Sequence, residues 1–522
     1  MARKIQSRLK ITGSLVAQSP LHIGGNDSSD LVDLTLAVDG RGDYYIPGTS
    51  LAGALRAWMA AGNGGLDDLV SELWGNQKKN GNGKSGHASH ILIEDAPIKG
   101  VNAEVRDGVG IDRYYGTAAE RVKFDRAILP KGSQIPLVMT IEHADKEPVN
   151  WEIQKGAVAA LLKALEDQEI RLGAAKTRGL GRVKLHGLAI LEQDLSSAEG
   201  MLATLRGQGT GLTLGVLAQN SPFKAKHSKL SIDINWEPIG PIMVKAEADG
   251  IAVDTLPLVS AVGNDLTFVL PGSSIKGALR SQAERIIRTL QAVAPEANQA
   301  FNDQLQAVPL IQEVFGSAAR LKLEPGDNEK KQQGRLGALS VDDCYAQLAI
   351  TPDQWSQIEA ATNERELRQK LDAAKLQQTQ QAFHVAIDRW TGGAADGFLY
   401  STLEPMGFAW EPIRLTLDLG WLSHKAVDPS LAMTGTALLL LLLRDLAAGR
   451  IPLGYGVNRG MGAIQINRIQ IHGCDLDENL KPLEKQTFTA GQLSALPGDF
   501  LQAMNNQWQT WVNQHLQGGK AA

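Results

Sequence analysis

Two cysteines in 522 residues, Cys344 and Cys474, leave nothing from which to build a disulfide framework, and neither has a His or Cys neighbour at zinc-ligand spacing. A reducing compartment is the expectation. Long apolar runs are also missing: the longest, Ala437–Leu443, is far short of the ~20 residues of a membrane-spanning helix. The opening Met1-Ala-Arg-Lys-Ile carries no apolar core of a signal peptide, so a soluble, cytoplasmic protein without membrane contact is expected. Positive charge is not in surplus either, with 52 Lys and Arg against 57 Asp and Glu and a net charge of −5. Any nucleic-acid site must therefore be a local basic surface. What remains is a globular composition, 43% hydrophobic and 21% charged, on a chain long enough for two or more domains.

The chain repeats itself once. Ile46-Pro-Gly-Thr-Ser-Leu-Ala-Gly-Ala-Leu-Arg56 matches Leu270-Pro-Gly-Ser-Ser-Ile-Lys-Gly-Ala-Leu-Arg280. Ile111-Asp-Arg-Tyr-Tyr-Gly-Thr-Ala118 matches Ile387-Asp-Arg-Trp-Thr-Gly-Gly-Ala394, and Arg178-Gly-Leu-Gly181 matches Arg459-Gly-Met-Gly462. Smaller echoes pair Leu73-Trp-Gly75 with Val314-Phe-Gly316 and Ile93-Glu-Asp95 with Val341-Asp-Asp343. The shift between copies is 271 − 47 = 224 at the proline, 388 − 112 = 276 at the aspartate and 459 − 178 = 281 at the arginine. Blocks that recur in the same order imply two homologous domains, the second enlarged between its first two blocks.

Each copy opens with a strand-rich stretch, Leu9–Val16 or Leu230–Val244, followed by a Pro-Gly turn into a helix expected to be capped by Ser or Thr. A second helix is expected at Ala157–Glu166 and at Ser430–Ala448. This order predicts an α+β protein of two tandem ferredoxin-like (RRM-like) β-α-β-β-α-β domains with insertions and a helical C-terminal tail. The predicted boundaries are 1–197 for the first domain, 198–228 for a linker, 229–475 for the second domain and 476–522 for the tail. A helical insertion near 344–380 contains a charged helix from Pro352 to Lys375. In the tail, Leu501, Met504, Trp508, Trp511 and His515 share a helical spacing, which points to core packing.

Leu21-His-Ile-Gly-Gly25, the two Pro-Gly-Ser/Thr-Ser blocks, the two Ile-Asp-Arg blocks and the Gly-rich loops together resemble the RAMP superfamily of CRISPR-associated proteins. Within it, the chain looks like a double-RAMP fusion of backbone subunits from a type III effector complex, as in type III-D-like systems. The resemblance implies crRNA and target RNA as partners, alongside other type III effector subunits. It further implies an endoribonuclease that cuts the paired target at regular intervals by metal-dependent attack of a ribose 2′-OH, with Mg²⁺ or another divalent cation as cofactor.

On the family pattern the catalytic and metal-holding positions fall on Asp33 and Asp254, each a few residues before a short apolar strand. Asp27, Asp30 and Asp249 compete for the role. Such a carboxylate can hold a cation through water or accept the 2′-OH proton, and both roles stay open. RNA contact is expected at His22, Ser50, Arg113, Arg178, Arg182, Ser274, Lys276, Arg389 and Arg459. Ser50 and Ser274 stand at helix starts, where free N–H groups suit either a plain cap or a phosphate, with Lys276 in the first turn of the second helix. Arg113 and Arg389 suit RNA or an ion pair with Asp112 and Asp388. Tyr114, Tyr115 and Trp390 suit base stacking in a hairpin thumb or core filling. Copy two is expected to place Trp236-Glu-Pro-Ile-Gly-Pro241 where copy one has Leu-His-Ile-Gly-Gly. Two other readings compete: a non-catalytic RNA scaffold, and a metal-independent guide-processing endoribonuclease.

Overall fold

The computed structural model describes residues 4–25, 32–61, 67–76, 86–144, 150–219, 227–247, 249–306, 308–318, 334–425, 430–489 and 492–515. Two units result: Met1–Arg106, Asp125–Lys176 and Leu180–His227 form the first, and Asp107–Phe124, Thr177–Gly179 and Ser228–Ala522 the second. The elements of the first repeat are β1 (Ile5–Ala17), α1 (Gly48–Ala61), β2 (Ile91–Ile93), a hairpin of β3 (Glu104–Ile111) and β4 (Ala118–Ile128), β5 (Gln134–Ala144), α2 (Trp151–Glu166) and β6 (Val183–Asp194).

Alternation drives the sheet of the first unit. Leu9, Ile11 and Leu15 of β1 are fully buried, as are Ile135, Leu137, Met139 and Ile141 of β5. Both strands close over the apolar face of α2, where Leu161, Leu162 and Leu165 are buried. Asn150 caps α2 by accepting from the Glu152 N–H. The four central strands run β6-β1-β5-β2, all antiparallel. This is the strand order 4-1-3-2 of a β-α-β-β-α-β core.

Residues 198–228, expected as a linker, are largely built into the first unit. They form α3 (Ala198–Leu205), β7 (Thr210–Leu212), which pairs with β6, and α4 (Leu214–Ala218), which buries Leu217. The polar composition hid three residues of edge strand and one buried leucine.

The second unit repeats the plan with β8 (Lys229–Pro238), α5 (Gly272–Gln291), β9 (Leu339–Asp342), α6 (Pro352–Glu359), α7 (Glu364–Ala373), the hairpin β10 (Thr379–Ile387) and β11 (Ala394–Pro405), β12 (Ile413–Asp418), α8 (Leu431–Ala447) and β13 (Ile464–Cys474). Its central order is β13-β8-β12-β9, again 4-1-3-2. Arg178–Gly179 adds a short parallel strand outside β9. The charged insertion is two helices, not one: the turn after Glu359 ends α6, and Asn363 caps α7 by accepting from Glu366 N–H. The tail joins this unit through β14 (Lys485–Thr489), paired with β13, and α9 (Gly498–His515), which buries Met504, Trp508 and Trp511.

The Pro-Gly turns have one physical reason in both copies. A Cβ on Gly48 would overlap Ile93 O, and one on Gly272 would overlap Val341 O, so each helix start lies directly on a strand end. Serine does not cap α5, whose N-cap is Pro271 without a side-chain hydrogen bond. Acidic turns supply the acceptors instead: Gly48 N–H donates to Asp95 Oδ1 and Gly272 N–H to Asp343 Oδ1, both at 2.7 Å.

Candidate nucleic-acid interface

Asp33 lies on a loop stretch that bridges β4 through the parallel pair Leu34–Arg126. Its N–H donates to Asp125 Oδ1 at 2.6 Å, and the Asp125 N–H donates to Asp33 Oδ2 at 3.0 Å. In the second unit, Thr255–Thr402 forms the corresponding parallel bridge. Asp254 N–H donates to Ser401 Oγ at 3.2 Å, and the Ser401 N–H and hydroxyl donate to Asp254 Oδ2 at 2.7 and 3.0 Å. Both aspartates are exposed. Asp33 and Asp254 thus occupy equivalent places, with a carboxylate opposite the first and a hydroxyl opposite the second.

The same equivalence corrects the alignment upstream. Leu21 N–H donates to Leu129 O, as Ile242 N–H does to Pro405 O; Gly181 N–H donates to Pro20 O, as Gly462 N–H does to Pro241 O. His22 therefore corresponds to Met243, not to the Trp236–Pro241 segment, and 243 − 22 equals 254 − 33, both 221. His22 itself is 4% exposed, with Nδ1 2.7 Å from Ala127 O. Burial, with Arg126 nearby, pushes its pKa below the ordinary imidazole value despite that hydrogen bond. A buried, neutral imidazole is a framework group, so the expected RNA contact at His22 is withdrawn.

The Gly-rich loops are pinned where side chains would not fit. Gly181 (φ +94°) and Gly462 (φ +81°) each sit against the carbonyl of a leucine, Leu172 and Leu453. Arg178 is exposed, its backbone on the sheet edge beside Val341, and Arg182 is half-buried, its N–H donating to Ser19 Oγ at 3.0 Å. Arg459 donates to the Tyr400 hydroxyl and lies over the Tyr455 ring at 4.9 Å. Tyr400 in turn stacks on His384, whose Nε2 is 3.2 Å from Glu404. Nothing in the local sequence marks this aromatic and cationic cluster, because its members come from two strands and a loop.

At the hairpin tips, aspartate and arginine do not pair with each other. Asp112 Oδ1 accepts from the Tyr114 and Tyr115 N–H groups at 2.8 and 2.9 Å, and Asp388 Oδ1 from Trp390 and Thr391 at 2.9 and 2.7 Å. Those N–H groups, Tyr115 first in the one case and Thr391 in the other, hold both carboxyls below their ordinary pKa. Arg113 turns instead to Glu284, Nε to Oε2 2.6 Å. Arg389 is exposed and makes no ion pair or hydrogen bond among the described residues. Tyr115 is 61% and Trp390 96% exposed, so the tip aromatics do not fill a core.

At the helix starts, Ser50 is exposed and Ser274 half-buried. The N–H groups there already face Asp95 and Asp343, a charge that a phosphate would meet with repulsion. Lys276 is a clear correction: it is 5% exposed and its Nζ donates to Leu339 O at 2.7 Å, turned into the fold and away from solvent.

A hard divalent cation prefers oxygen ligands, one or two of them carboxylates, with water completing the shell. Asp33 with Asp125 fits that donor chemistry, each carboxylate keeping one oxygen outside the reciprocal pair. Asp254 with Ser401 offers one carboxylate and one hydroxyl. Among the described residues, no group of three or more His, Cys, Asp or Glu gathers at one point. Asp27 and Asp30 lie outside the described residues, and Asp249 pairs with Lys245 at 3.7 Å. Sequence reasoning missed Asp125 and Ser401, each more than 90 positions from its partner.

A family model described as the RAMP superfamily matches residues 14–184 and 257–465. No curated protein matches the chain. Among the described residues, no helix is long and apolar enough to cross a membrane.

Proposed function

The chain belongs to the RAMP superfamily, and from that premise we propose that it is a crRNA-binding backbone subunit of a type III CRISPR effector complex, built as two tandem ferredoxin-like RAMP domains, that cleaves the paired target RNA. Membership itself carries a CRISPR-associated RNA-binding role. Target cleavage rests on one observation above the others: Asp33 and Asp254 recur at equivalent loop positions, each tied to the strand of an extended hairpin. The exposed tip residues Tyr115 and Trp390 suit insertion between stacked bases. Arg178, Arg182, Arg389 and Arg459 supply the contacts that track an RNA backbone.

In this reading the carboxylates of Asp33 and Asp254 stand where a displaced nucleotide presents its 2′-OH, and orient it for in-line attack on the adjoining phosphate. The O–P bond to the 2′ oxygen forms as the bond to the 5′ oxygen breaks, leaving a 2′,3′-cyclic phosphate and a 5′-hydroxyl. Bound at Asp33 and Asp125, and less fully at Asp254, Mg²⁺ would supply charge to stabilise the phosphorane. The reciprocal hydrogen bonds of Asp33 also favour a second reading, in which the carboxylates are latches and the chain is a scaffold. Cleavage of a labelled, guide-matched RNA by the reconstituted complex, with and without EDTA, separates the two. Loss of one metal-dependent cut in Asp33→Ala and another in Asp254→Ala supports catalysis, whereas an unchanged ladder leaves a scaffold.

A further inference from the structure

Helix α5 carries a cationic feature that the first repeat lacks. Arg113, Arg285 and Arg288 line a cavity of about 430 Å³ together with Glu284 and the segment 292–295. Arg285 and Arg288 lie one helical turn apart and present to one side. Glu284, 2% exposed, is already spoken for: Arg113 Nε donates to it at 2.6 Å and Arg280 Nε at 2.8 Å. Glu284 is thus shared by two guanidinium groups, and Asp112 acts on Arg113 as well.

Two of these arginines are incompletely satisfied. Arg288 is 8% exposed; its Nη2 donates to Gln304 O at 2.7 Å, while its Nε is buried without an acceptor among the described residues. Arg280 Nη2 is in the same condition but does not line the cavity, which leaves Arg288 as the unsatisfied donor there. A buried N–H on a charged group without an acceptor is costly, and an anion in the cavity removes that cost. The fold does not demand the arrangement: at the shift of 224, Ser281, Glu284 and Arg285 correspond to Ala57, Ala60 and Ala61.

We infer that this cavity is an anion site that takes a phosphate group, with Arg285 and Arg288 as its principal donors and Arg113 at its rim. Planar guanidinium forks match tetrahedral phosphate oxygens in pairs, and the excess of positive charge excludes a cation. The source that fits the proposed function is an RNA phosphodiester, and only that identification rests on the RNA reading. The site itself stands on the arginines.

Calorimetric titration of the full chain with inorganic phosphate, chloride matched, tests it, using Arg285→Gln, Arg288→Gln and the charge-keeping Arg288→Lys. The expected result is saturable binding that weakens about tenfold or more in each Gln variant and is partly kept in Arg288→Lys. Absence of saturable binding in the unmodified chain, or equal binding in all variants, overturns the proposal. Should Arg288→Gln fail to fold, the exposed Arg285 decides alone. Single-stranded RNA titrated in parallel identifies the source: affinity lost together with phosphate binding assigns the RNA backbone, and RNA affinity unchanged while phosphate binding is lost assigns a small phosphate compound. If the unmodified chain bound phosphate but no RNA in any assay, the proposed function would fail and the anion site would stand.

Discussion

Asp33 and Asp125 hold one another by reciprocal hydrogen bonds, the backbone N–H of each donating to the carboxylate of the other at 2.6 and 3.0 Å. Asp254 and Ser401 repeat the clasp with a hydroxyl in place of the second carboxylate. Opposing two carboxylates raises local negative charge in the first unit, and a nearby cation relieves it. The two units are therefore chemically unequal at equivalent positions.

Asp125→Ser would give the first unit the partner found in the second. If Asp33 is the catalytic carboxylate, the first cut persists in Asp125→Ser, needs a higher metal concentration, and disappears in Asp33→Ala. The metal dependence of each band in a cleavage ladder measures this. A first cut abolished equally by both substitutions would mean that the Asp125 carboxylate is as necessary as that of Asp33, since serine keeps the clasp.

Much of this site was legible in the repeat, and the failures have a common cause. Asp254 can be matched to Asp33 because an apolar stretch follows each, which after Asp33 makes isolated bridges and no strand, yet local pattern sets His22 against the wrong segment. Only Pro20-Leu-x-Ile23 and Pro241-Ile-x-Val244 survive there as a pattern, and the shift changes from 221 to 224 before the Pro-Gly turn. The caps from Asp95 and Asp343 and the pair Arg113–Glu284 join residues 47, 71 and 171 positions apart, which no local pattern reports. Lys276 has the sequence position of a phosphate ligand because it falls in a first helical turn. Its burial depends on where α5 meets β9, which helix periodicity alone does not state. The tail aromatics were readable, since Met504, Trp508 and Trp511 recur on one helical face.

His22 makes stability depend on pH. A carbonyl can only accept, so Nδ1 carries the proton toward Ala127 O and the ring is neutral in the fold. With the folded pKa below the ordinary value, the unfolded chain takes up a proton first as pH falls. The contribution of His22 is thus complete above the ordinary imidazole range and is lost as pH drops through it toward the folded value. His22→Met, borrowing the residue of the second unit, should flatten the stability profile from the ordinary imidazole range downward, at a cost of about 1 kcal/mol at pH 8 for the lost hydrogen bond. Urea unfolding across that range measures it, and an unchanged slope would contradict the assignment.

Lys276→Ala separates a structural lysine from an RNA ligand. Removing the ammonium leaves Leu339 O without that donor and opens space beneath α5, a loss of about 1–3 kcal/mol. RNA affinity per folded molecule should stay within about twofold of the unmodified chain, a difference in binding free energy of no more than about 0.4 kcal/mol. Filter binding alongside denaturant unfolding checks both. A tenfold loss of affinity at unchanged stability would return Lys276 to the interface.

Two glycines of the same helix should respond oppositely to alanine. Around Gly277 an added Cβ meets nothing within 4 Å, so Gly277→Ala gains the helix preference of about 0.5–1 kcal/mol. Gly272→Ala gains the same preference but drives a methyl into Val341 O and the adjoining Gly179 backbone. The net is expected to be a loss of about 1–3 kcal/mol, as for other overpacked sites. Thermal melts of the pair decide whether close approach to β9, and not turn conformation, is what requires Pro-Gly.

The tail is tested at two positions of α9. Trp511 is 1% exposed, with the Trp508 ring 5.7 Å and the His515 ring 5.1 Å from its own, and α9 packs on α8. Trp511→Ala removes a large side chain from a closed apolar layer, and the cavity left behind adds to the lost burial, for a total of about 3–5 kcal/mol. Leu501 lies on the same helix at 36% exposure, so Leu501→Ala should cost no more than about 0.5 kcal/mol. Scanning calorimetry of the full chain distinguishes them: the transition of the second unit moves down sharply in Trp511→Ala and hardly at all in Leu501→Ala. Equal shifts would mean that α9 does not contribute to the core of the second unit, and that its aromatic face serves another surface.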